Sequence, residues 1–173
     1  MKKIFLAGAI MAAALSFYSC GNKGNDGSID AGTQAELDKQ LAGMATYESE
    51  GAEFAQQQLK ADPALKKTAS GLIYKLITPG NGNNFKESDN VNVIYTGSHV
   101  NGQVFDSSNG KPVTFPVSGV VPGFKEMLLI MKPGAKAHCI IPGNLGYGER
   151  GNQGIAPNET LVFDIETVGL AQQ

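Results

Sequence analysis

Few residues in this sequence could carry covalent or proton-transfer chemistry. His99 and His138 are the only histidines, Cys20 and Cys139 the only cysteines. No Cys/His spacing resembles a zinc site, so no metal is assigned, and no cofactor is called for. Cys139 sits in an alternating segment with no apparent disulfide partner. It reads as a small buried hydrophobe rather than a reactive thiol, which would want exposure and a nearby cation. What the chain offers instead is apolar: aromatic rings at Tyr95, Phe105, Phe124, Tyr147 and Phe163, aliphatic groups at Val120, Val121 and Ile155, and one carboxylate, Asp106, directly after Phe105. Taken singly, each has an ordinary reading. Rings on alternating strands are commonly core, and an aspartate in such a place commonly caps a turn.

The elements that must position these residues follow from periodicity. Gln34 to Lys60 is rich in Ala, Glu, Gln and Leu and predicts one or two helices. Its apolar stripe of Leu37, Leu41 and Met44, continued by Phe54 and Leu59, must pack on the following domain or on a second copy of the chain. Asp62-Pro63 ends the helical reading. From Ser70 the pattern becomes period two, and strands are predicted around Leu72 to Ile77, Val91 to Tyr95, Ser98 to Val100, Gln103 to Phe105, Val113 to Val117, Ala135 to Ile141 and Leu161 to Val168. Asn101-Gly102 carries a strong two-residue hairpin signal. One helix interrupts the strands, from Pro122-Gly123 to about Met131, with Phe124, Met127, Leu128 and Met131 on one face. Many strands with one short amphipathic helix predict an α+β fold, an antiparallel sheet curled around that helix.

The N-terminus reads as an address. Lys2-Lys3 precedes an apolar run, Ile4 to Leu15, too short to span a bilayer and suited to a signal peptide. Phe17-Tyr18-Ser19-Cys20 resembles a lipobox, with Phe17 where leucine is usual, so Cys20 is the expected lipidation site. A Gly-, Asn- and Ser-rich linker follows. With 14 basic and 16 acidic residues the net charge is -2, which gives no electrostatic reason to expect nucleic acid as partner.

Five separated motifs resemble the FKBP family of peptidyl-prolyl cis-trans isomerases. These are Asn92-Val93-Ile94-Tyr95-Thr96-Gly97 with Gly102-Gln103-Val104-Phe105-Asp106-Ser107-Ser108, then Val120-Val121-Pro122-Gly123-Phe124, Leu145-Gly146-Tyr147-Gly148 and Leu161-Val162-Phe163-Asp164-Ile165-Glu166. Glu50-Gly51-Ala52-Glu53-Phe54 and Thr68 to Lys75 resemble the macrophage infectivity potentiator branch. The chain thus reads as residues 1–19 signal peptide, 20–33 linker and 34–69 helical segment, and the resemblance, which covers roughly Ser70 to Leu170, implies 70–173 as an FKBP-like isomerase domain. It implies that Tyr95, Phe105, Asp106, Val121, Phe124, Tyr147 and Phe163 are catalytic, that Phe115, Val120 and Ile155 bind substrate, and that the Val121 N–H and Tyr147 hydroxyl meet substrate carbonyls. The short loop before Phe115 leaves open whether Val113 or Phe115 faces the ligand.

An apolar cage is sufficient chemistry for this reaction. Resonance gives the imide a rotation barrier of about 18–20 kcal/mol, and twisting destroys that resonance. The twisted state is less charge-separated, so leaving water costs it less than it costs the planar state. Expected partners are proline-containing polypeptides of the cell envelope, with macrolide inhibitors of the family as further ligands, a lipid-anchored location facing periplasm or surface, and a homodimer through the helical segment left open. Phe124 stands where the family usually has tryptophan. The alternative is a proline-binding chaperone module with little catalysis.

Overall fold

The computed structural model describes residues 31–171. The apolar leader, Cys20 and the linker up to Asp30 lie outside the described residues.

Helix α1 runs unbroken from Ala31 to Ala61, beginning three residues before the predicted Gln34. Its stop is the one the sequence signals. Pro63 cannot continue the ladder, and Asp62 turns the chain by accepting the Ala64 N–H and binding Lys75 Nζ at 2.7 Å. The Lys75 ammonium holds the Asp62 carboxyl below its ordinary range.

Seven strands follow: β1 (Lys66–Lys67), β2 (Ile73–Pro79), β3 (Asn90–His99), β4 (Val104–Ser107), β5 (Val113–Pro116), β6 (Ala135–Ile141) and β7 (Leu161–Leu170). They form one antiparallel sheet in the order β1-β2-β6-β7-β3-β4, with β5 also paired to β3. The two segments predicted around Val91–Tyr95 and Ser98–Val100 are one long central strand, because β7 pairs with it along its whole length. The Asn101-Gly102 turn closes as expected, with the Gly102 N–H donating to the His99 carbonyl.

Helix α2 (Pro122–Ile130) packs on one face of the sheet. There Phe124, Met127 and Leu128 meet Val91 and Val93 of β3, Ala137 and Cys139 of β6, and Phe163 and Ile165 of β7. Burial pushes the Cys139 thiol upward, so it stays protonated. The opposite face is covered over Ile73, Ile140 and Val162 by Phe54, Ala55, Leu59 and Leu65. The C-terminal half of α1 thus supplies a second layer. Its N-terminal half does not: Leu37 and Leu41 remain 43% and 54% exposed. No helix among the described residues is long and apolar enough to cross a membrane.

Candidate active site

The rings predicted from the motifs converge at the end of α2. Tyr95, Phe105, Asp106, Phe115, Val120, Val121, Phe124, Tyr147 and Phe163 line one cleft of about 160 Å3. That is the space of roughly five water molecules. The tenth predicted residue, Ile155, is buried in the same apolar cluster and is not part of the cleft wall. Phe115 faces the cleft and Val113 does not.

Alternation explains most of the wall. Tyr95 and Gly97 share a face of β3, and Gly97 lies directly opposite Phe163 on β7. Phe105 and Asp106 are neighbours in sequence, and a regular strand would send them to opposite faces. Both reach the cleft because the register between β3 and β4 slips there: Gly97 pairs with Asp106, while Ser98 pairs with Val104, leaving Phe105 as the extra residue of a β-bulge.

The rings hold each other edge to face. Phe124 lies 5.4 Å from Phe163 at 85° and 6.1 Å from Tyr95 at 87°, and Phe105 lies 5.6 Å from Phe163 at 86°. Such pairs are worth about 0.5–1.5 kcal/mol each beyond area burial, which keeps the cage open rather than collapsed. Gly97 is what lets two rings meet over the strand. A Cβ there would stand 2.7 Å from both Phe105 Cζ and Phe163 Cε1.

Four polar groups edge the apolar space. The Tyr95 hydroxyl donates to Asp106 Oδ2 at 2.7 Å. Burial, and then that bond to a carboxylate, push the Tyr95 phenol up to about 12, so it remains a donor at neutral pH and fixes Asp106 at the rim. The Val121 N–H, at the N-cap of α2, takes part in none of the turn or loop hydrogen bonds, as expected for an orphan donor at a helix start. The Tyr147 hydroxyl has no protein partner among the described residues. Two donors are therefore without a partner among the described residues and free for solvent or a ligand's acceptors.

Behind the wall lies a pair that sequence reasoning missed. His99 Nδ1 meets Glu159 Oε1 at 2.5 Å, while Glu159 Oε2 accepts the Ala156 N–H. The His99 ring packs against Phe105 at 5.2 Å. The two residues are sixty positions apart and belong to none of the motif positions, so no sequence signal joined them. No three His, Cys, Asp or Glu side chains converge among the described residues.

Comparison with known proteins points to one family. The family model for FKBP-type peptidyl-prolyl cis-trans isomerase matches residues 82–168. The chain is 38% identical over 140 residues to the FKBP-type peptidyl-prolyl cis-trans isomerase FkpA of Escherichia coli K12, covering 80% of this chain and 50% of that protein. It is 44% identical over 114 residues to the outer membrane protein MIP of Legionella longbeachae, covering 64% of this chain and 49% of that protein. The crystal structure of FkpA from Escherichia coli superposes with a TM-score of 0.76 at 36% identity, covering 81% of this chain and 67% of that one. The chain spans about half the length of the curated relatives it matches.

Proposed function

The chain belongs to the FKBP-type peptidyl-prolyl cis-trans isomerase family, and from that premise we propose that it catalyses rotation about X-Pro bonds in polypeptides of the cell envelope. The observation that carries this reading is the aromatic cleft, an apolar hollow with two unengaged donors at its edge. A proline ring entering it exchanges water for the faces of Tyr95, Phe115, Phe124 and Phe163. The planar imide, with its larger dipole, loses more solvation than the twisted one, so the barrier falls. The Val121 N–H and Tyr147 hydroxyl hold the flanking carbonyls in the twisted orientation, and Asp106, fixed by Tyr95, sets the polarity of the rim. Val120 completes the substrate-binding wall, while Ile155 lies in the apolar core rather than against the substrate. Lowering the barrier by about 4–6 kcal/mol speeds rotation roughly a thousand- to ten-thousandfold.

The wider reading has the same status. Residues 1–19 act as a signal peptide, Cys20 carries the lipid, the residues between Cys20 and α1 are a spacer, α1 is the helical arm and 70–173 is the core of the isomerase domain. The protein sits in the envelope, facing periplasm or surface; a similar protein is named an outer membrane protein. The exposed Leu37, Leu41 and Tyr47 on α1 support a homodimer through the arm. Macrolide inhibitors enter the same cleft, over a floor made smaller by Phe124. A prolyl tetrapeptide assay on the whole chain tests the central claim. Catalysed exchange is expected, and a rate equal to the uncatalysed one would end it.

A further inference from the structure

A second and larger hollow, about 540 Å3, lies between the C-terminal half of α1 and the sheet. It persists although the helix is held at its rims. At one, Gly51 rests so closely on Thr160 that a Cβ would collide with Thr160 Oγ1. At the other, Leu59 packs on the Ile73–Ile140–Val162 cluster.

Its lining is mixed. Ala52, Ala55, Leu59, Ile73 and Pro142 give apolar surface. Gln56, Asn144 and Glu149 give polar side chains that make no hydrogen bond or ion pair among the described residues. The two side-chain amides each present a donor and an acceptor, the same complement as a peptide group. Charge argues against an anionic occupant, since Glu48 and Glu149 face a single Lys67.

This hollow adjoins the aromatic cleft through one loop. Asn144 and Glu149 line the larger space, while Tyr147, between them in sequence, lines the smaller. Two residues of chain span at most about 7 Å, so the wall between the two spaces is one loop thick.

We propose that the hollow is an accessory groove for an extended, neutral or basic stretch of the substrate polypeptide flanking its proline. The inference rests on reading the aromatic cleft as the proline site. Its volume falls within the roughly 300–1,000 Å3 of sites that enclose sizeable ligands, and it assigns recognition of flanking residues to a surface built by α1. The cleft fits one ring and discriminates weakly; the groove adds contacts that only a longer chain reaches.

The test uses the whole chain and two substitutions outside the cleft, Ala52→Trp and Gln56→Ala. Both positions are exposed on α1, so folding is retained, as a thermal melt would verify. Affinity for a fluorescein-labelled dodecapeptide with a central Leu-Pro is read by anisotropy, and turnover of the prolyl tetrapeptide is read in parallel. Both variants should bind the dodecapeptide at least about fivefold more weakly, Gln56→Ala by the loss of one or two hydrogen bonds and Ala52→Trp by filling the groove, and turn over the tetrapeptide as the unsubstituted protein does. Unchanged dodecapeptide affinity in both variants overturns the groove, as does a wild type that binds the dodecapeptide no more tightly than its tetrapeptide core. Absent tetrapeptide turnover by the wild type counts against the isomerase reading alone, since anisotropy decides the groove.

Discussion

Replacing Gly97 by alanine isolates the geometry of the cage from its composition, because one methyl group is added and no pocket residue is removed. The backbone at Gly97 lies outside the left-handed region, so alanine meets no conformational penalty there. The added Cβ would lie 2.7 Å from Phe105 Cζ and from Phe163 Cε1, and 3.0 Å from Phe105 Cε2. Reaching ordinary contact requires each ring to move by about 0.7 Å. Retreat is blocked for both: His99 stands 5.2 Å from Phe105 and Phe124 stands 5.4 Å from Phe163. The rings must therefore shift into the cleft or splay its mouth. Misplacement on the order of 1 Å can cost about a hundredfold in rate, and overpacking costs about 1–3 kcal/mol of stability. We expect Gly97→Ala to lower tetrapeptide kcat/KM by about 30- to 100-fold while unfolding stays cooperative. Retention of kcat/KM within threefold in a folded variant would refute the claim that ring placement over Gly97 controls catalysis.

Other substitutions probe the remaining contacts. Gly51→Ala should lift α1 from Thr160, costing about 1–3 kcal/mol and raising amide exchange in residues 47–61, with tetrapeptide turnover unchanged; exchange matching the wild type would show that the close approach is not needed. Glu159→Ala strips the partners from His99 Nδ1 and the Ala156 N–H, and denaturant melts should show a loss of about 1–3 kcal/mol. Tyr95 makes the fold sensitive to alkali. Its phenol titrates near 12 when folded against 10.0 as the reference value, so the folded state binds more protons between those values. Its contribution is complete below pH 10 and is lost as pH rises toward 12. Tyr95→Phe should flatten that part of the stability–pH curve and remove one late-titrating phenol from the ultraviolet absorbance, and an unchanged curve would refute the assignment.

Much of the site was legible because its residues are local. The strand pattern from β2 to β7, the α2 stripe of Phe124, Met127 and Leu128, and the Pro122-Gly123 start depend on neighbours a few positions away. The ordered motifs named eight residues that do share one cleft. Choosing Phe115 over Val113 needed the pairing of β5 on β3, which no local signal sets. The entry of both Phe105 and Asp106 into the cleft needed a bulge, invisible to a period-two reading. The separation of Ile155 from the cleft wall likewise comes from packing.

The chain by itself determined which residues are apolar, where helices stop and that one short helix faces many strands, because these depend on side-chain chemistry and on φ/ψ limits within a few residues. Tertiary structure alone decided that His99 meets Glu159, that Gly97 seats two rings, and that α1 touches the sheet at Gly51 while leaving a hollow beside Gln56. Each is a distance between segments far apart in the chain. Such distances are set by how whole surfaces pack, and no single stretch of sequence holds both partners.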